Sequence, residues 1–168
     1  MSDAKTSVRC LVATIAPGRA SVRDDVTHVV VEELKSAQID IVRSVVVNRE
    51  KQFIEQLVRN VSTGNEADVI VLIGGAGIGP RDYACEAVEA LAERRIEGFG
   101  EEYRRLLRED PDSVVSAVLS RATAGVCDGA IVLALPRQTP EIMRRVVQRL
   151  LVPVLPQAVR IAGGGGHT

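Results

Sequence analysis

The chain has 168 residues, 46% hydrophobic and 26% charged, with a formal net charge of −1, which suits one domain with a substantial core. Near-neutral charge gives no field for coating nucleic acid, and four aromatic residues (Phe53, Tyr83, Phe99, Tyr103) make no base-stacking platform. No apolar stretch reaches membrane-spanning length, no secretion signal opens the chain, and Cys10, Cys85 and Cys127 lack C-x-x-C spacing; a cytoplasmic protein with free thiols is expected.

In chain order, Met1–Thr6 is polar and reads as frayed. Val8–Ile15 (V-R-C-L-V-A-T-I) reads as a strand ended by Ala16-Pro17-Gly18, and Ser21 is placed to cap a helix carrying Val26, Val29, Val30 and Leu34. Ile39–Val47 is a second strand. Glu50–Val61 is an amphipathic helix, with Phe53, Ile54, Leu57, Val58 and Val61 at helical spacing. After the Ser62–Glu66 turn comes Val69–Ile73, a continuous apolar run that suits a strand buried on both faces of a parallel sheet.

That run breaks into Gly74, Gly75, Ala76 and Gly77 and then Arg81-Asp82. Glycines let the backbone turn sharply and lie against a ligand, and exposed N–H groups in such a turn form a nest for an anion. Open α/β sheets bind ligands at the carboxyl ends of their strands, where this turn falls. Its spacing matches neither G-x-G-x-x-G nor a P-loop, because no Lys-Ser or Lys-Thr follows.

Ala84–Ala92 reads as a short helix. Gly98-Phe99-Gly100 is expected to break the chain before a helix over Glu101–Arg108, and Ser113–Leu119 forms a further segment leading to Ser120–Gly125. Ala130–Leu135 is a buried strand followed by Pro136-Arg137, and Pro140 starts a helix with Ile142, Val146, Val147 and Leu150 on its apolar face. Val152–Thr168 carries two prolines and four consecutive glycines, so its end reads as disordered. The alternation predicts an α/β fold, a three-layer α/β/α sandwich with a mainly parallel central sheet. One domain is expected over 7–157, with 1–6 and 158–168 as flexible tails.

Four segments in order, L-I-G-G-A-G-I-G-P-R-D (Leu72–Asp82), G-F-G-E (Gly98–Glu101), L-S-R-A-T-A-G (Leu119–Gly125) and L-A-L-P (Leu133–Pro136), closely resemble the MoaB/MogA family of molybdenum cofactor biosynthesis proteins. The resemblance covers roughly Val8 to Leu155. It implies a homotrimer or homohexamer that transfers an adenylyl group from magnesium–ATP to molybdopterin, and possible contact with other cofactor-synthesis proteins is part of the same expectation. It places Asp82 and Asn48 at the catalytic centre, with Asp82 as magnesium ligand. Gly74, Gly75, Ala76, Gly77, Glu101, Ser120, Arg121, Pro136 and Arg137 are placed against the substrates. Arg121 is expected to meet the pterin's phosphate or ring edge, because a cation among small residues at a bend has little packing role. The residues also carry blander readings: Asp82 as a helix cap, Glu101 as a charge answering a helix dipole, Ser120 as a turn residue, His28 as a solvated histidine. Molybdate insertion by this chain alone is not expected, since the larger relatives use extra domains for it.

The departures fall on ligand-facing positions. Ala76 replaces the threonine of G-G-T-G, Asn48 the aspartate of P-D, and Arg137 the glycine of P-G, while D-x-S-G becomes Asp25-Val26-Thr27-His28 and T-P-E-A becomes Ala84-Cys85-Glu86-Ala87. Asn48 supplies no negative charge for magnesium. A second expectation therefore stands beside the first: a paralogue that binds a pterin or nucleotide without turnover, or serves as an oligomeric partner.

Overall fold

The computed structural model describes residues 7–16 and 24–164. Met1–Thr6, the Pro17-Gly18 turn, the Ser21 cap and His167 lie outside the described residues. Within them, β1 (Arg9–Ala16), β2 (Asp40–Asn48), β3 (Val69–Ile73), β4 (Arg94–Arg95), β5 (Thr123–Cys127) and β6 (Ala130–Leu135) form one sheet in the order β2-β1-β3-β6-β5-β4. β2, β1, β3 and β6 are parallel; β5 and β4 add an antiparallel edge. The helices are α1 (Asp25–Ser36), α2 (Lys51–Thr63), α3 (Ala84–Leu91), α4 (Glu97–Arg108), α5 (Val114–Val118), α6 (Pro140–Val146) and α7 (Val152–Ala162).

The expected three-layer sandwich forms because β3 has two apolar faces. Val69, Val71 and Ile73 pack in one core with α1, α4 and α6, while Ile70 and Leu72 pack in a second with α2 and α3. All five β3 side chains are buried. α1 is capped by Asp24, whose carboxylate accepts the Thr27 N–H at 3.2 Å.

Two local expectations are corrected. Gly98-Phe99-Gly100 does not break the chain: α4 starts at Glu97 and runs through both glycines. Phe99 and Tyr103 are buried in the first core, and that packing outweighs glycine's poor helix propensity. Thr123–Gly125, to which the sequence reading assigned no element, opens β5, which is joined to β6 by Asp128-Gly129, both at positive φ (47° and 80°) as a tight hairpin requires. Gly125 has no side chain to signal a strand, and a Cβ there would sit 2.6 Å from the Ala92 Cβ. The C-terminal segment is helical through Ala162, not an irregular tail from 158. A π-helical turn over Val147–Leu151 precedes Pro153 and makes room for its ring, and Leu155 anchors the helix in the core.

Two glycines two residues apart on α4 respond oppositely to a methyl group. At Gly98 an added Cβ meets nothing within 4 Å, whereas at Gly100 it would lie 2.4 Å from the Ala122 carbonyl oxygen. Gly98→Ala is expected to raise unfolding free energy by about 0.5 kcal/mol, and Gly100→Ala to lower it by about 1–3 kcal/mol. Urea midpoints check both; shifts of the same sign would show that α4 does not rest on Ala122.

Candidate functional site

The parallel strands β2, β1, β3 and β6 end on one edge of the sheet, and antiparallel β5 begins there. Asn48, the glycine loop, Ser120, Arg121, Pro136 and Arg137 are therefore all brought to that edge. They are spread along it rather than clustered: β2 and β5 stand four strand spacings apart, about 19 Å.

The loop after β3 has a fixed shape. Gly74 and Gly75 lie at φ 103° and 70°, and a Cβ at Gly74 would be 3.2 Å from the Ile15 carbonyl oxygen. The Gly74 N–H donates to the Leu135 oxygen at 2.8 Å, and the Ala84 N–H to the Gly75 oxygen at 3.0 Å, tying the loop to β6 and α3. The N–H groups of Gly75, Ala76, Gly77 and Ile78 have no acceptor among the described residues. Asp82 does not cap α3, whose N-cap is Tyr83 without a side-chain bond. Its Oδ2 instead accepts the Gly79 N–H at 2.8 Å, in space that a Cβ at Gly77 or Gly79 would fill. Its Oδ1 has no partner among the described residues.

Arg121 has a packing role that sequence reasoning denied it. Its Nε donates to the Gly77 oxygen at 2.6 Å and its Nη2 to the Asp82 oxygen at 3.0 Å. Nη1 and Nη2 also grip the Glu86 carboxylate, and the backbone N–H donates to the Ala76 oxygen at 2.9 Å. Burial pushes the Glu86 carboxyl up, but the guanidinium outweighs it and holds the group below its ordinary value. The Cys85 thiol, kept protonated by burial that raises it to about 11, donates to the Arg121 oxygen at 3.0 Å. Ser120 matches its plainer reading: buried, with Oγ accepting the Ala122 N–H at 3.1 Å.

Beside this clamp lies a cavity of about 390 Å³, lined by Arg95, Glu97, Glu101, Arg104, Ser120 and Arg121. Glu101 is not at the helix start but one turn in, so the dipole reading fails for it. Glu97, Glu101 and Arg104 fall at i, i+4 and i+7, one face of α4. Sequence reasoning missed Glu97 because it began the helix at Glu101; Arg104 lay inside the helix it read, three residues after Glu101, and was not singled out.

The other end of the edge is already engaged. Arg137 Nη2 donates to Asp24 Oδ1 at 2.6 Å, and Asp24 also accepts both Thr27 donors. Because a carboxylate only accepts, Thr27 donates to it, and the buried Thr14 hydroxyl must then donate to Thr27 at 2.6 Å. Burial raises the Asp24 carboxyl, but the Arg137 and Thr27 bonds hold it below its ordinary value. Asn48 Oδ1 accepts the Glu50 N–H at 2.9 Å, starting α2. His28 is exposed on α1.

Residues 6–157 match the family model described as "Probable molybdopterin binding domain". Molybdenum cofactor biosynthesis protein B of Halalkalibacterium halodurans is 31% identical over 158 residues, covering 94% of this chain and 92% of that protein. A crystal structure of a molybdenum cofactor biosynthesis protein B superposes with a TM-score of 0.85 at 31% identity, covering 95% of this chain and 98% of the other. The molybdopterin biosynthesis enzyme MoaB of Thermus thermophilus superposes with a TM-score of 0.81 at 29% identity, covering 96% and 99%.

Because the folded Glu86 carboxyl lies below its ordinary value, the Arg121 pair stabilises the protein above the unfolded carboxyl's pKa and loses that effect as pH falls through the folded one. Glu86→Gln is thus expected to be less stable at neutral pH and to lose less stability than the parent from about pH 5 downward. Denaturant midpoints across that range decide it; parallel curves would mean that the pair adds no pH-dependent stability.

Proposed function

The chain belongs to the molybdopterin-binding family that includes MoaB and MogA, a family of molybdenum cofactor biosynthesis, and from that premise we propose that it transfers the adenylyl group of ATP to the terminal phosphate of molybdopterin. In this reading a phosphate oxygen of the pterin attacks the α-phosphorus of ATP. The bond from that phosphorus to the bridging oxygen breaks, and pyrophosphate leaves with the electron pair. The observation that carries the reading is the run of four backbone N–H groups, Gly75 to Ile78, without acceptors among the described residues and beside the Asp82 carboxylate. Donors fixed in advance where phosphate charge develops are what such a transfer needs, since no covalent nucleophile is required.

Magnesium, when it arrives with ATP, supplies charge neutralisation on the phosphates. The donor set fits an ion carried mainly by phosphate and water oxygens: Asp82 offers one unpaired carboxylate oxygen, and no group of three metal-ligating side chains occurs among the described residues. Asp82 would hold it. Asn48, neutral and bonded to Glu50, contributes at most a carbonyl oxygen.

One observation favours the second reading, a paralogue that binds without turnover. Both Asn48 and the Asp24–Arg137 pair are tied into the protein at positions where departures from the family fall. Turnover separates the two. Asp82→Asn keeps an acceptor for the Gly79 N–H but removes the charge, so adenylylated product is expected to fall about 100- to 1,000-fold. Undiminished product would sink the role of Asp82. Asn48→Asp should raise the rate if the missing charge limits it, and wild-type protein that binds molybdopterin yet forms no product would select the second reading.

A homotrimer or homohexamer forms part of the same proposal. Ile78, Val115 and Val118 expose 67%, 68% and 65% of their surface around the site, and covering them removes apolar area from water. Light scattering should return three or six times the chain's mass; a monomer would reject this.

A further inference from the structure

The cavity beside the glycine loop is lined by three arginines, and they are not equally available. Arg121 spends its guanidinium on Gly77, Asp82 and Glu86. Arg95 pairs with Glu89 at 3.3 Å. Arg104 has one contact among the described residues, from Nη1 to the Ala122 oxygen at 3.5 Å, which is the outer limit for a hydrogen bond. Its guanidinium lies over the bare Cα of Gly100, where a Cβ would come within 3.0 Å of both terminal nitrogens. A planar fork of donors, half-buried, facing a cavity and weakly engaged, is the form that binds an oxyanion bidentately.

We propose that Arg104 is the side chain that receives the anionic phosphate of a pterin phosphate ligand in this cavity, and that Arg121 only shapes the pocket. This rests on the reading of the chain as a molybdopterin-binding protein and deepens it by naming the phosphate-specific contact. Diverting Arg121 to a ligand would cost its bonds to Gly77, Asp82 and Glu86 and release the loop. Diverting Arg104 costs one long contact. The adjoining carboxylates Glu97 and Glu101 have no partner among the described residues. They give the cavity acceptors for the N–H groups of a pterin's amino-pyrimidinone edge, so one weakly engaged cation and two carboxylates unpaired among the described residues match a ligand with an anionic tail and a donor-rich ring.

The test is anaerobic titration calorimetry of the full chain with molybdopterin and with its dephosphorylated form, for wild type, Arg104→Gln and Arg104→Lys. Arg104→Gln is expected to weaken molybdopterin about tenfold to a hundredfold and the dephosphorylated form less than about threefold, with the melting temperature unchanged. Arg104→Lys should recover part of the loss, since it restores charge without the fork. Equal losses for both ligands, no loss for either, or wild-type protein that ignores the phosphate would overturn the proposal. Turnover measured on the same wild-type protein keeps the two ideas apart. A phosphate-dependent Arg104 effect without adenylylated product supports this contact and rejects the transferase reading. Product formation with unaltered binding by Arg104→Gln does the reverse.

Discussion

One guanidinium holds the candidate site in shape. Arg121 joins three segments that are remote in sequence: the loop after β3, the first turn of α3 through Glu86, and the approach to β5 on which it sits. With its side chain 36% exposed and that of Glu86 38% exposed, the ion pair itself is worth little in Coulomb energy. Its effect is geometric. Two carbonyl oxygens of the glycine loop and one carboxylate are fixed by a rigid planar fork, so the loop's N–H groups keep one direction. A flexible glycine segment would otherwise lose conformational entropy on being ordered.

The same accounting of donors and acceptors separates the scaffold from the groups left free. At the β1 and β6 ends, hydrogen bonds link Arg137 to Asp24, Asp24 to Thr27 and Thr27 to Thr14. At β2, Asn48 is spent on the start of α2. Among the described residues, the groups with spare capacity include Asp82 Oδ1, the Gly75–Ile78 amides and the carboxylates of Glu97 and Glu101 on α4.

Glycine does three separate jobs here. Gly74 and Gly75 supply positive φ, Gly77 and Gly79 leave room for the Asp82 carboxylate, and Gly100 and Gly125 permit close packing of α4 and β5 against their neighbours. Reading Gly98-Phe99-Gly100 as a break follows the propensity of glycine alone. Tertiary packing of Phe99 decides otherwise.

What the sequence alone determined was what periodicity and apolar runs control: the doubly buried β3 and β6, the amphipathic α2, the alternation that yields a mainly parallel sandwich, and the motifs that identified the family. Those signals are local, because a residue's burial pattern repeats along its own element. The antiparallel β4 and β5, the continuation of α4 through two glycines and the helix through Pro153 and Pro156 depend on neighbours supplied by distant segments. So does the division of labour among the arginines. Arg121 and Arg104 are the same residue type beside the same cavity, and only the positions of Gly77, Asp82 and Glu86 make one a clamp and leave the other open. Hydrogen-bond partners 35 to 44 residues away in the chain set that difference, and no pattern along the sequence encodes it.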